Sequence, residues 1–152
     1  MERTARIVKT RARVRRRLEH MVRSVLAVLA GIAVLTVLSF AIEAAANPLL
    51  MRMFPRALPD EAAISFNLPP ALFMMAYTTL CVVAGGYATA RIARRAAVRH
   101  AIVMGVIQVG LTIWAMESFP EKAPLRNWVL SMVLTVPATW VGGVLGSASK
   151  RW

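Results

Sequence analysis

This sequence has few of the residues that catalytic and metal sites most often need. Cys81 is its single cysteine, and its two histidines, His20 and His100, lie far apart in the chain. One cysteine excludes an intrachain disulfide and a thiolate cluster, and two distant histidines give little support to a metal site. The sequence shows no Ser/His/Asp arrangement, phosphate-binding glycine loop or carboxylate pair. We therefore expect a protein that is not an enzyme and has no cofactor.

Acidic residues are scarce as well. The 152 residues include 7 Asp and Glu against 19 Lys and Arg, which gives a formal net charge of +12. In a soluble protein this excess would suggest a nucleic-acid partner, but a basic helix alone has no base-reading chemistry. Because 58% of the residues are apolar, the nearest polyanion is a membrane surface. We expect contacts with membrane lipids, anionic on the cytoplasmic side, and do not expect nucleic-acid binding.

Long apolar runs are abundant. Four stretches contain no charged residue: 24–42, 71–90, 101–116 and 128–149. About 20 residues cross the hydrocarbon core of a bilayer. The sequence therefore predicts one all-α membrane domain over 1–152: a basic segment at 1–23 and a four-transmembrane-helix bundle with spans at about 24–46, 70–91, 99–117 and 127–148. A cleaved signal peptide is the alternative for the first span, although its apolar region exceeds the roughly 7 to 15 residues typical of such peptides.

Positive charge falls mainly on one side of these spans. The segments before, between and after alternate spans hold 15 of the 19 basic residues, and the opposite side holds four, Arg52, Arg56, Lys122 and Arg126. Basic flanks of short loops stay in the cytoplasm. We expect a multi-pass protein of the bacterial inner membrane with both termini in the cytoplasm.

The basic N-terminal segment has the pattern of an amphipathic helix. Apolar residues recur at helical spacing among the arginines, at Ile7, Val14, Leu18, Met21 and Val25. Such a helix can lie flat on an anionic leaflet. The candidate lipid contacts are Arg11, Arg13, Arg15, Arg16 and Arg17. Two alternatives stay open, a topology signal without a further role and a docking helix for an acidic partner. The first loop, 47–69, contains Pro48, Pro55 and Pro59, and we expect no long helix through it.

Polar residues inside the spans are the candidate binding site. Thr36, Ser39 and Glu43 fall on one arc of the first helix, and Gln108 lies on a similar polar face of the third. If these faces meet, the outer half of the bundle holds a polar pocket around Glu43, suited to a proton or another cation. The alternative is structural: Glu43 reaches water at the interface, and the hydroxyl groups hold helices together.

Glycines mark the candidate packing faces. Gly142 and Gly146 form a small-xxx-small pair on the fourth helix, and Gly85 and Gly86 begin the same spacing on the second. Such faces allow two helix backbones to approach closely, within one chain or between chains. Pro137 predicts a kink in the middle of the fourth helix.

The end of the second helix carries a recognisable pattern. The run Gly85-Gly86-Tyr87-Ala88-Thr89-Ala90-Arg91 leads through a short basic turn to His100-Ala101. It resembles small uncharacterised bacterial inner-membrane proteins with four transmembrane helices, in which Ala is usual where this chain has Thr89. The resemblance covers about residues 82–110 and implies a fold and a location but no activity.

Two functional hypotheses follow. The first is a non-enzymatic accessory, assembly or regulatory subunit that acts through helix packing, with a protein partner or a second copy of itself. The alternative is a small transporter or pore component that uses the polar pocket around Glu43. Small multidrug-resistance transporters also have four short helices and a glutamate in the first, but here Glu43 lies at the outer end of the span.

Overall fold

The part of the chain that the structure describes forms five α-helices. The computed structural model describes the backbone of residues 2–56, 58, 60, 62–93 and 96–149, and the side chains within those ranges from Met21 onward, except that of Ala62. The helices are α1 Glu2–Met53, α2 Ala62–Phe66, α3 Leu68–Ile92, α4 Ala97–Ser118 and α5 Leu125–Ala148, with a single 3-10 turn at Pro120–Lys122. The described residues contain no β-strand. Part of α1, Met21–Met53, and the whole of α3, α4 and α5 are long and apolar enough to cross a membrane, which confirms the predicted all-α, four-helix membrane fold.

Helix α3 lies at the centre of the bundle. It packs most extensively against α5 and then against α1, while α4 packs mainly on α5, and α1 and α4 share only a small contact. One apolar cluster joins all four spanning helices, formed by Val28, Leu35, Tyr77, Cys81, Val82, Met104 and Ala138. Because few polar groups interrupt this cluster, dispersion and close packing hold the helices together in the absence of a water-driven hydrophobic effect.

The prediction that no long helix runs through the first loop, 47–69, was wrong for residues 47–53. Helix α1 continues past Pro48 and ends at Met53. A proline inside a helix removes one hydrogen bond, here the bond to the carbonyl of Ala44, and its ring crowds that carbonyl. The loss falls near the helix end, and the following apolar residues, Leu49 and Leu50, favour a helix where backbone groups must be satisfied internally.

The basic segment is helical and continuous with the first span. Helix α1 runs without a break through Arg23, so its backbone does not provide the turn that a segment lying flat on the membrane requires. The side chains of Arg11, Arg13, Arg15, Arg16 and Arg17, the predicted lipid contacts, lie outside the part of the chain whose side chains are described.

The connections at the two ends of the bundle are short. The Asp60 carboxylate accepts a hydrogen bond of 2.9 Å from the backbone N–H of Ala63 and so caps α2, which lies between α1 and α3. Ile64 in α2 is 1% exposed, which anchors this short helix to the bundle. At the other end, Ala96 adopts a left-handed conformation with φ of 50° immediately before α4.

Candidate functional site

Helices α1 and α4 separate toward one end of the bundle. We call this end, with its α1–α2 and α4–α5 connections, the loop end, and the end with the α3–α4 connection the terminal end. The last buried residue is Leu35 in α1 and Gly105 in α4, whereas α3 and α5 keep buried residues along most of their lengths. The separation leaves a cleft between α1 and α4, with α3 and α5 as its floor, and we call it the polar cleft.

All four predicted binding residues line the polar cleft. The cleft encloses about 280 Å³ and brings Thr36, Ser39 and Glu43 from α1 opposite Gln108 from α4. The other lining residues are Leu35, Phe40, Thr78, Val82, Thr112, Trp128, Ser131 and Thr135. The faces that helical periodicity assigned to single helices thus meet around one space, as the pocket interpretation required.

A wider cavity, which we call the vestibule, adjoins the polar cleft at the loop end. The vestibule encloses about 560 Å³ and shares Glu43, Thr78, Trp128 and Ser131 with the cleft. Its remaining lining residues are Asn47, Ile64, Ser65, Met74, Met75, Lys122, Ala123 and Asn127. The two cavities are therefore adjacent and share part of their wall.

Hydrogen bonds between distant segments hold the vestibule in shape. The Asn127 side-chain amide donates to the Ser65 carbonyl at 2.8 Å, and the Arg126 guanidinium donates to the Phe66 carbonyl at 3.1 Å. The indole N–H of Trp128 donates to the Ala123 carbonyl at 3.1 Å. These bonds connect α2 and the α4–α5 turn to the first turn of α5. The backbone around the vestibule is therefore held in place by hydrogen bonds.

The hydroxyl groups on the cleft wall present acceptor oxygens. Thr78, Thr112 and Thr135 each donate their proton to the carbonyl of the residue four positions earlier in the helix, at 2.7, 2.9 and 2.7 Å. A hydroxyl that has donated its proton keeps its lone pairs as acceptors. The lining is therefore electronegative and suits a cation or a hydrogen-bond donor.

Charge in the two cavities is sparse and is divided between one acid and one base. Glu43 is the acidic residue that lines both cavities, and Lys122 is the basic residue that lines the vestibule. The Glu43 carboxylate also acts electrostatically on Tyr77, whose hydroxyl is buried beside the cleft and close to Glu43 and Thr78. Lys122 places its ammonium 4.5 Å from the centre of the Phe119 ring.

Glycine contacts close the bundle at the terminal end of the cleft. A methyl group added to Gly31 would collide with the Thr89 hydroxyl and would lie 2.7 Å from the Gly85 carbonyl oxygen. Gly105 is packed in the same way against the side chain of Thr139. Thr89 and Thr139 are both fully buried, and each donates its hydroxyl proton to a carbonyl of its own helix. The polar cleft therefore ends at these two glycine–threonine contacts.

The four predicted packing glycines all face other helices of the same chain. Gly86 lies against the backbone of Thr139, Gly142 against the backbone of Val83, and Gly146 against Tyr87, all across the α3–α5 contact. Gly85 faces Gly31 in α1 and Met104 in α4. Their small size is therefore used for packing within the chain.

Sequence reasoning missed several residues of this region. Gly31 is part of an Ala27-xxx-Gly31 spacing, which could have identified it as a packing position. Trp128, Lys122 and Asn127 are not among the candidate site residues that the sequence indicates. Their place in the vestibule depends on the path of the loops, for which the sequence gives no signal.

No protein-family model, curated protein or solved structure matches the chain. The resemblance to small bacterial four-helix membrane proteins therefore stays a prediction. Among the described residues, no group of three or more His, Cys, Asp or Glu side chains is placed to hold a metal ion. The polar cleft and the vestibule are therefore the features of the structure that bear on function.

Proposed function

We propose that this integral membrane protein binds a small cationic ligand in the polar cleft and works as a small transporter or pore component. The observation that carries the proposal is the convergence of polar side chains from all four spanning helices on a cleft that contains one carboxylate, Glu43. Polar and ionisable groups within a membrane are costly, and they commonly mark binding sites and conduction paths.

The chemistry of the cleft favours a cation. The Glu43 carboxylate supplies the negative charge, and the threonine oxygens and the Gln108 amide oxygen supply further acceptors. No basic residue is among the residues that line the cleft itself. In a site of low dielectric constant, one carboxylate attracts a cation much more strongly than it does in water.

The shape of the cavities gives the proposed site a direction of access. A ligand can enter from the loop end through the vestibule, while the contacts of Gly31 with Thr89 and of Gly105 with Thr139 close the opposite side. Transport across the bundle would require these contacts to separate. Pro137, which interrupts the hydrogen bonding of α5 beside Thr139, is the natural point for such a movement.

Uptake by proteoliposomes tests this function. Guanidinium, a permanently charged and weakly hydrated cation, serves as the probe, and radiolabelled uptake is followed together with a pH-sensitive dye inside the vesicles. We expect uptake by wild-type protein and, for Glu43→Gln, a decrease of at least about tenfold, the equivalent of one lost charge-assisted hydrogen bond.

Glu117→Gln is the matched control, because Glu117 is exposed at the loop end and does not line either cavity. We expect this variant to transport guanidinium as wild type does. Equal uptake by wild type, Glu43→Gln and protein-free vesicles would contradict the proposal.

An accessory or assembly role is the second candidate. The four predicted packing glycines are used within the chain, but Gly110 in α4 has no atom within 4 Å of the position that its Cβ would take. It lies on an exposed apolar face with Val106 and Trp114, where a small residue would allow another helix to approach. Self-association of the chain in mild detergent is the measurement that tests this role.

The same proposal places the protein in the bacterial inner membrane with both termini in the cytoplasm. The division of basic residues, 15 on the side of the termini and four on the loop side, supports this orientation. The vestibule would then open to the outside of the cell.

A further inference from the structure

The polar cleft also opens sideways, between α1 and α4, where the bilayer would lie. Thr36 and Phe40 line the cleft from α1, and both are exposed, Phe40 by 67%. Beyond Gly105, α4 has no buried residue that would bring it against α1. The cleft therefore has two openings, one at the loop end and one toward lipid.

The lateral opening restricts what can fill the cleft. Hydrocarbon chains alone would leave the polar groups of Ser39 and Gln108 facing an apolar medium, which is unfavourable for both. Water alone would lie against the acyl chains at the lateral opening, and contact between water and hydrocarbon is also unfavourable. A molecule with a polar head and an apolar tail satisfies both surroundings, because its head can lie toward the vestibule and its tail between α1 and α4.

The two charges identify the head group. Glu43 lies where the cleft meets the vestibule, and Lys122 lines the vestibule itself. A carboxylate pairs with an ammonium group, and a lysine ammonium pairs with a phosphate. We infer that the cleft and vestibule bind a phospholipid whose head group carries a protonated amine and a phosphate. This inference rests on the proposed function, since it assigns the cationic ligand as the amine of a lipid.

Quenching of tryptophan fluorescence by brominated lipid tests the inference. Trp128 lines both cavities, and W114F, W140F and W152F together leave it as the only tryptophan. The protein is placed in phosphatidylglycerol vesicles that contain either phosphatidylethanolamine or phosphatidylglycerol brominated near the glycerol end of the chains. We expect stronger quenching by the brominated phosphatidylethanolamine. Glu43→Gln should weaken this preference at least about tenfold, the equivalent of a lost charge-assisted hydrogen bond.

Two substitutions on α1 test the lateral opening. Thr36→Phe places a bulky ring at this opening, and we expect it to remove the preference for phosphatidylethanolamine. Val37→Phe is the control, because Val37 is 67% exposed and does not line the cleft. Since both positions are exposed, neither substitution disturbs the packed core.

Each outcome decides a different point. Equal quenching by the two brominated lipids, or a preference that survives Glu43→Gln, overturns the lipid inference. If guanidinium uptake still depends on Glu43 in that case, the proposed function stands and only its lipid ligand is lost. If uptake is also independent of Glu43, the proposed function fails with it.

Discussion

At the scale of single residues, threonine and glycine act as complementary shapes in this bundle. Thr89 and Thr139 have no exposed surface, and each fills the space left by a glycine on a neighbouring helix, Gly31 and Gly105 respectively. Their hydroxyl protons are donated within their own helices, so they bring no unsatisfied donor into the contact. Each contact is therefore close and internally satisfied.

Gly31→Ala should destabilise the protein because of this fit. The new methyl group would meet the Thr89 hydroxyl and the Gly85 carbonyl, and the latter belongs to a backbone that cannot rotate away. We expect a loss of about 1–3 kcal/mol in the free energy of unfolding, the usual range for overpacking. Thermal unfolding in detergent measures it.

Gly110→Ala provides the matched control in α4. Its new methyl group meets no atom within 4 Å, and alanine favours a helix over glycine. We expect this variant to be as stable as wild type or more stable. If the two substitutions had the same effect, the contact between α1 and α3 would not depend on the absence of a side chain at position 31.

At the scale of elements, α4 is enclosed by the other helices only in its terminal half. Its described buried residues are Ala101, Met104 and Gly105, all in that half, and the rest of its length has one side on the polar cleft and the other exposed. A second copy of the chain could therefore contact the loop half of α4.

Gly110→Leu tests whether α4 is such an interface. If the protein self-associates through this face, the larger side chain should separate the two helices and shift the protein toward monomers. Chemical cross-linking and mass photometry in mild detergent measure the shift. A wild-type chain that is already monomeric, or an oligomer that Gly110→Leu leaves intact, would remove α4 from the accessory role.

Some features of these elements could be predicted from the sequence and others could not, for physical reasons. Helical periodicity places Ser39 and Glu43 on one face of α1 because that relation is local, and the structure has both in the cleft. The glycine spacing indicated that two helices approach closely, but it did not identify the second helix, since Gly142 would fit the backbone of any neighbouring helix. The end of α1 was mispredicted because Pro48 disrupts a helix only locally. Lys122 and Asn127 reach the vestibule through loop geometry, which has no periodic signal.

At the scale of the whole molecule, the orientation in the membrane can be tested with cysteine labelling. Ser118→Cys at the loop end and Ser149→Cys at the terminal end are near-isosteric changes at exposed positions, and Cys81→Ser removes the native thiol, which is buried. Because basic flanks stay in the cytoplasm, a membrane-impermeant maleimide should label position 118 in intact spheroplasts and position 149 only after lysis.

The reverse labelling pattern would place the vestibule in the cytoplasm and would contradict the proposed direction of access. Labelling of both positions in intact spheroplasts would point to more than one orientation in the membrane. The Cys81→Ser protein without an added cysteine shows the background labelling for each case.

The length of α1 has a mechanical consequence for the cleft. This single helix includes both the basic segment and, through Thr36 to Glu43, one wall of the cleft, and its tightest contact with α3 lies at Gly31. It therefore resembles a lever with its fulcrum at Gly31, with arms of roughly 44 Å toward Glu2 and 18 Å toward Glu43 at 1.5 Å per residue. A rigid tilt of about 5° would move Glu43 by about 1.5 Å relative to the opposite wall on this geometry. A force applied to the basic arm would thus change the width of the cleft without contact at the site itself.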